Sequence, residues 1–104
     1  MEAFETSLHL PEPPAEWHAA LQALWWDARG DWNRAHALSQ INEADPRSAW
    51  VHAYLHRKEG DLSNAAYWYR RAGRPVATGS LEAELQVIGA ALLADSSGGV
   101  PHTM

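Results

Sequence analysis

His52, His56 and Glu59 are the side chains of this 104-residue chain whose types and spacing come closest to chemistry. On a helix, steps of four and three place all three on one side, and two histidines at i and i+4 can share a zinc ion. In zinc hydrolases of the H-E-x-x-H type, however, a glutamate directly follows the first histidine. That position is Ala53 here. A third and a fourth ligand do not stand out along the chain. The chain has no Cys, which excludes disulfides, thiolate catalysis and cysteine-based zinc or iron–sulfur sites. His52, His56 and Glu59 are therefore expected to be packing or surface groups. No metal and no cofactor are expected, and zinc should leave the thermal midpoint unchanged.

Other reactive arrangements are weaker. The serines (Ser7, Ser39, Ser48, Ser63, Ser80, Ser96 and Ser97) form no nucleophile elbow, and several stand where caps and loops belong. Gly98-Gly99 is followed by Val100-Pro101 and not by a helix, so no phosphate loop is formed. Glu82 and Glu84 fall in the first turn of a helix, where the dipole explains them. The expectation is of a protein that is not an enzyme. Aromatics and arginines intermingle over residues 47–74, as on stacking platforms for single strands. A net charge of −5 and a pI of about 5.6 argue against nucleic acid as the partner.

Charge is distributed unevenly. Residues 1–45 hold two Arg against eight carboxylates, a net of −6. Residues 46–75 hold Arg47, Arg57, Lys58, Arg70, Arg71 and Arg74 against Glu59 and Asp61, a net of +4. The remainder, with Glu82, Glu84 and Asp95, is −3. Such polarity suits an acidic partner for the middle section, head-to-tail self-attraction, or a solvated mixed surface.

The elements that position these residues are all helices. Apolar residues recur at three- and four-residue steps from about Pro14 to Arg29, with Trp17, Ala20, Leu21, Leu24, Trp25 and Ala28 on one face. Gly30-Asp31 ends that helix and caps the next, which carries Trp32, Ala35, Leu38 and Ile41 to about Glu43. Asp45-Pro46 starts a third with Trp50, Val51, Tyr54 and Leu55, and Gly60-Asp61 closes it and opens a fourth, which ends at Gly73-Arg74-Pro75. Ser80 caps a fifth, striped by Leu81, Leu85, Ile88 and Leu92. The expected fold is all-α, with about five helices. A single helical domain spans 13–95, comprising hairpins 14–44 and 46–73 and a capping helix 80–95. It is flanked by a flexible segment 1–12 and a flexible tail 96–104.

Ala28-Arg29-Gly30-Asp31-Trp32-Asn33-Arg34-Ala35 and Lys58-Glu59-Gly60-Asp61-Leu62-Ser63-Asn64-Ala65 echo each other thirty residues apart. With Asp45-Pro46 between them, the chain resembles a tetratricopeptide repeat protein, or its Sel1-like relatives. The resemblance implies about two repeats and a C-terminal capping helix. Ala65, Tyr69 and Ala72 match the small–large–small trio of the second helix in such a repeat. The period is 30 and not the family's usual 34, and the first-helix signature is incomplete. The resemblance implies a right-handed stack of antiparallel hairpins in which His52 and His56 face the following helix. It also implies a groove collecting Trp17, Leu24, Arg47, Trp50, Tyr54 and Arg57, with Lys58 at its rim. Aromatic walls with cations suit an extended peptide bearing a carboxylate.

Two functions follow from this reading. The first is a non-catalytic module that binds a protein or peptide through this aromatic and basic face. The second is a homodimeric structural or accessory protein, with a histidine-based metal protein third. Six Trp, each burying on the order of 200 Å², are many for two hairpins. The face bearing Trp50 and Tyr54 is therefore either contact surface or core. The acidic start Met1-Glu2-Ala3-Phe4-Glu5 is no targeting signal, and the longest apolar run, Leu85 to Ala94, falls short of the roughly 20 residues of a membrane span. A cytoplasmic protein is expected.

Overall fold

Glycines and aspartates divide the chain through hydrogen bonds that span only a few residues. A computed structural model describes residues 2–98. These form α1 (Glu2–Ser7), α2 (Ala19–Ala28), α3 (Trp32–Ser39), α4 (Pro46–Glu59), α5 (Leu62–Ala72) and α6 (Leu81–Gly98), with no strand among the described residues. Asp31 accepts from the Arg34 amide at 3.0 Å, Asp45 from Arg47 at 2.9 Å and Asp61 from Asn64 at 3.3 Å. Each thereby satisfies an amide that the helix itself leaves unpaired. Gly60 and Gly73 close α4 and α5 at φ of +90° and +73°, a region that a side chain makes costly.

Among the described residues the helix count is six, because α1 lies in the segment expected to be flexible. Six residues are too short to show a period, and tertiary contacts hold them. Phe4 is buried, the Trp25 indole donates to the Ser7 hydroxyl and carbonyl at 3.1 and 3.3 Å, and Arg29 donates to the Leu8 and Leu10 carbonyls.

Three boundaries also move. The helix expected from Pro14 starts at Ala19, since His18 Nδ1 caps the Leu21 amide at 3.3 Å and the Trp17 carbonyl accepts from the Gln22 side chain at 2.7 Å. α3 stops at Ser39, which leaves Ile41 exposed instead of on an apolar stripe. α6 runs on through Gly98, past the Ser96 at which a tail was expected, while 99–104 lie outside the described residues.

Short connections fold α3 back on α2 and α5 back on α4, and the two hairpins meet through α2, α3 and α4. α4 is the centre. Helices α2, α3, α5 and α6 all pack on it, and every residue from Ser48 to His56 is buried. α6 lies across α4 and α2, the pair of helices on which a groove was expected. All six Trp enter the core or pack against it: Trp25, Trp50 and Trp68 are buried, and Trp17, Trp26 and Trp32 half-buried. No helix among the described residues is long and apolar enough to cross a membrane.

Ala65, buried at the packing of α5 on α4, tests this arrangement. Ala65→Trp is expected to lower stability by about 1–3 kcal/mol, because a well-packed crossing cannot take the added volume without displacing a helix. Urea denaturation reads the change. A variant as stable as the parent would show that α4 and α5 do not cross closely at this residue.

Candidate functional site

The seven residues expected to form a binding face divide into core and latch. Leu24 and Tyr54 are 0% and 2% exposed, and Trp50 is also buried. Trp17 is half-buried, its ring parallel to Phe4. Burial, and then the Asp27 carboxylate beside it, push the Tyr54 hydroxyl up. The expectation that these aromatics wall an open groove therefore gives way to interior positions, because α6 and α1 cover the face that two hairpins alone would leave bare.

The three cations pair with carboxylates of the chain itself. Lys58 Nζ lies 3.1 Å from both Asp27 oxygens, Arg57 Nη1 donates to Glu84 Oε1 at 2.7 Å, and Arg47 Nη1 donates to Asp95 Oδ2 at 2.8 Å. Arg57 also donates to the Gly79 carbonyl, and the Tyr69 hydroxyl donates to the other Glu84 oxygen. Burial, followed by that carboxylate, pushes the Tyr69 hydroxyl up. Two of the three pairs thus join α4 to α6, and the third joins α4 to α2. Much of the charge polarity along the sequence is consumed within the chain. Arg47 also bonds Asp45, which holds that carboxyl below the usual range.

Trp50 and Arg74 together line two neighbouring clefts, of about 450 and 400 Å³, while Tyr54 and Lys58 border another between α1, α2 and α6. The Arg74 guanidinium sits 3.8 Å from the Trp50 ring centroid. Arg47 and Asp95 border the first cleft, and the connector from Pro75 to Ser80 together with Val87 borders the second. Arg74 was not among the expected site residues. A cation just beyond a helix-ending glycine reads as surface, and only the fold lays it over Trp50.

The histidines occupy the opposite side of α4. His52 faces α5, stacked on Trp68 with ring centroids 4.0 Å apart. His56 Nδ1 lies 2.7 Å from Glu59 Oε2, so this part of the trio meets as the helical spacing predicts. The residue that sequence reasoning missed is His36 on α3, whose Nε2 is 3.1 Å from His52 Nε2 and whose ring stacks on Trp32. Sixteen residues separate His36 from His52, a spacing that matches no recognised ligand pattern. Burial, then the neighbouring His36 and His56, lower the His52 pKa to about 4. His36 is lowered by burial and then by the neighbouring His56. His52 Nδ1 is buried without a hydrogen-bond partner.

No family model, curated protein or solved structure matches the chain.

Proposed function

We propose that the chain is a small, non-catalytic, tetratricopeptide-like interaction module, two hairpins and a closing helix, that binds a protein or peptide beside Trp50 and Arg74. The observation that carries this reading is the pair of clefts sharing those two residues, with the guanidinium stacked on the indole. Trp and Arg dominate interface hot spots, and a guanidinium meets a carboxylate through two parallel N–H donors. Val76 and Val87, 52% and 59% exposed, supply apolar surface next to it. The cations Arg47, Arg57 and Lys58 are engaged by the chain's own carboxylates, so Arg74 takes the role first expected of them. A second reading, self-association, draws on the same two valines, since both line one cleft and a two-fold contact could cover them.

Capture from the source cell with parent and Arg74→Glu baits, quantified by mass spectrometry, tests the first reading. At an unchanged thermal midpoint, a partner retained by the parent and lost at least about tenfold by the variant is expected, since a hot-spot truncation costs roughly 2 kcal/mol or more. Identical partner sets for the two baits would remove Arg74 from the site. Size-exclusion with light scattering reads the second: a monomer keeps the cleft free, and a dimer split by Val87→Glu assigns the surface to a second copy.

A further inference from the structure

We propose that His36, His52 and His56 bind one divalent transition-metal ion of the zinc class, with a fourth coordination position left to water or an outside ligand. The three side chains come from two helices, and one ring nitrogen from each lies within 4.8 Å of the others. Ring centroids form a nearly equilateral triangle: His36–His52 4.8 Å, His52–His56 4.8 Å and His36–His56 5.2 Å. An ion held tetrahedrally at about 2.0–2.1 Å from each nitrogen sets those nitrogens about 3.3–3.4 Å apart. The His36–His52 pair is already at 3.1 Å. The His56 corner lies within 4.8 Å of the other two, so the three nitrogens converge on one point.

The surroundings are those of a supported site. Glu59 takes the Nδ1 edge of His56 at 2.7 Å, which leaves Nε2 as the nitrogen available to an ion. A carboxylate behind a histidine ligand is the usual device for fixing tautomer and ring plane. Trp32 stacks on His36 and Trp68 on His52, which fixes two more rings, and the Trp32 indole is itself anchored on the Leu55 carbonyl at 3.0 Å. A neutral His36–His52 hydrogen bond would account for two convergent imidazoles but gives no reason for the third. The arrangement leaves His52 Nδ1 without a partner, a cost that binding of the ion has to exceed. His36 is only half-buried and the Glu59 side chain is 39% exposed, so water can reach the open position.

Three neutral imidazoles favour zinc, cobalt, nickel and copper over magnesium or calcium. The other convergent group, His56, Glu59 and Asp61, carries no separate site, because Asp61 caps the Asn64 amide and Glu59 holds His56. The sequence showed two of the three ligands and hid His36, which is why zinc was expected to have no effect. The inference does not depend on the cleft at Trp50, which lies elsewhere on α4.

The test is titration of the untagged full chain with zinc alone, followed by calorimetry and thermal denaturation. Cobalt(II) then reports coordination through its visible absorption. Saturable one-to-one binding is expected, together with a raised thermal midpoint and the intense visible bands of a four-coordinate cobalt centre. His36→Gln and His52→Gln should each abolish all three signals, Glu59→Gln should weaken binding roughly 10–100-fold, and the exposed His9→Ala should change nothing. Because His52 is buried and its variant can unfold, the half-buried His36→Gln decides the matter, with circular dichroism confirming its fold. Absence of saturable zinc binding by the folded parent, or binding that His36→Gln leaves intact, would overturn the proposal.

Discussion

The double variant Tyr54→Ala with Arg57→Glu is expected to be unfolded at 25 °C. Tyr54, on α4, is 2% exposed, and truncating a buried aromatic costs about 3–5 kcal/mol through lost burial and the cavity left behind. Arg57 reaches Glu84, itself buried, and breaking such a pair costs about 3–5 kcal/mol because one charge stays in the interior without a partner. Arg57→Glu does worse than break it, since it sets two carboxylates against each other beside the Tyr69 hydroxyl. The two losses together approach or exceed the roughly 5–15 kcal/mol by which small domains are stable. They lie three residues apart, so their sum is a guide and not a strict total. Near-UV circular dichroism and urea denaturation read the outcome. A folded double variant that no longer captures a partner would return this face to the surface. Exposed pairs mark the contrast: Arg47–Asp95, with the Asp95 side chain 52% exposed, is worth at most about 1 kcal/mol.

Trp25→Ala is expected to cost about 3–5 kcal/mol and to release α1. Trp25 is fully buried, meets Trp26 edge-on at 4.9 Å, and has the Arg29 guanidinium 4.9 Å from its ring centroid. Its indole N–H is also the bond that ties Ser7, and with it the end of α1, to α2. Trp25→Phe separates the two contributions. It keeps most of the apolar surface but forfeits the hydrogen bond, leaving buried acceptors at a cost of about 1–3 kcal/mol. In that variant the amides of Leu8, His9 and Leu10, which bond back into α1, should exchange with deuterium faster while those of α4 do not. Equal protection of residues 8–10 in parent and Trp25→Phe would show that α1 is held by something other than this indole.

How far the sequence reads without a structure depends on the span of the interactions involved. Asp31, Asp45 and Asp61 cap amides two or three residues ahead, and Gly60 and Gly73 close helices through their own φ angles. Those events are local, so the turns, α4 and α5 could be read directly from residue types, as could the His52, His56 and Glu59 face with its four- and three-residue steps. What needed the tertiary structure acts across longer separations. α1 is held by Phe4 in the core and by bonds from Trp25 and Arg29 that span 18 to 21 positions, and the cations of α4 are engaged by Asp27, Glu84 and Asp95 across 31, 27 and 48. The same distance rule hid His36, brought to His52 across 16 positions by the packing of α3 on α4. Whether an aromatic stripe such as Trp50 and Tyr54 is a groove or a core was likewise beyond periodicity, which shows that a face is apolar but not what covers it. Here α6 covers it, burying Ile88 and Leu92 in the core and bringing Glu84 and Asp95 to Arg57 and Arg47.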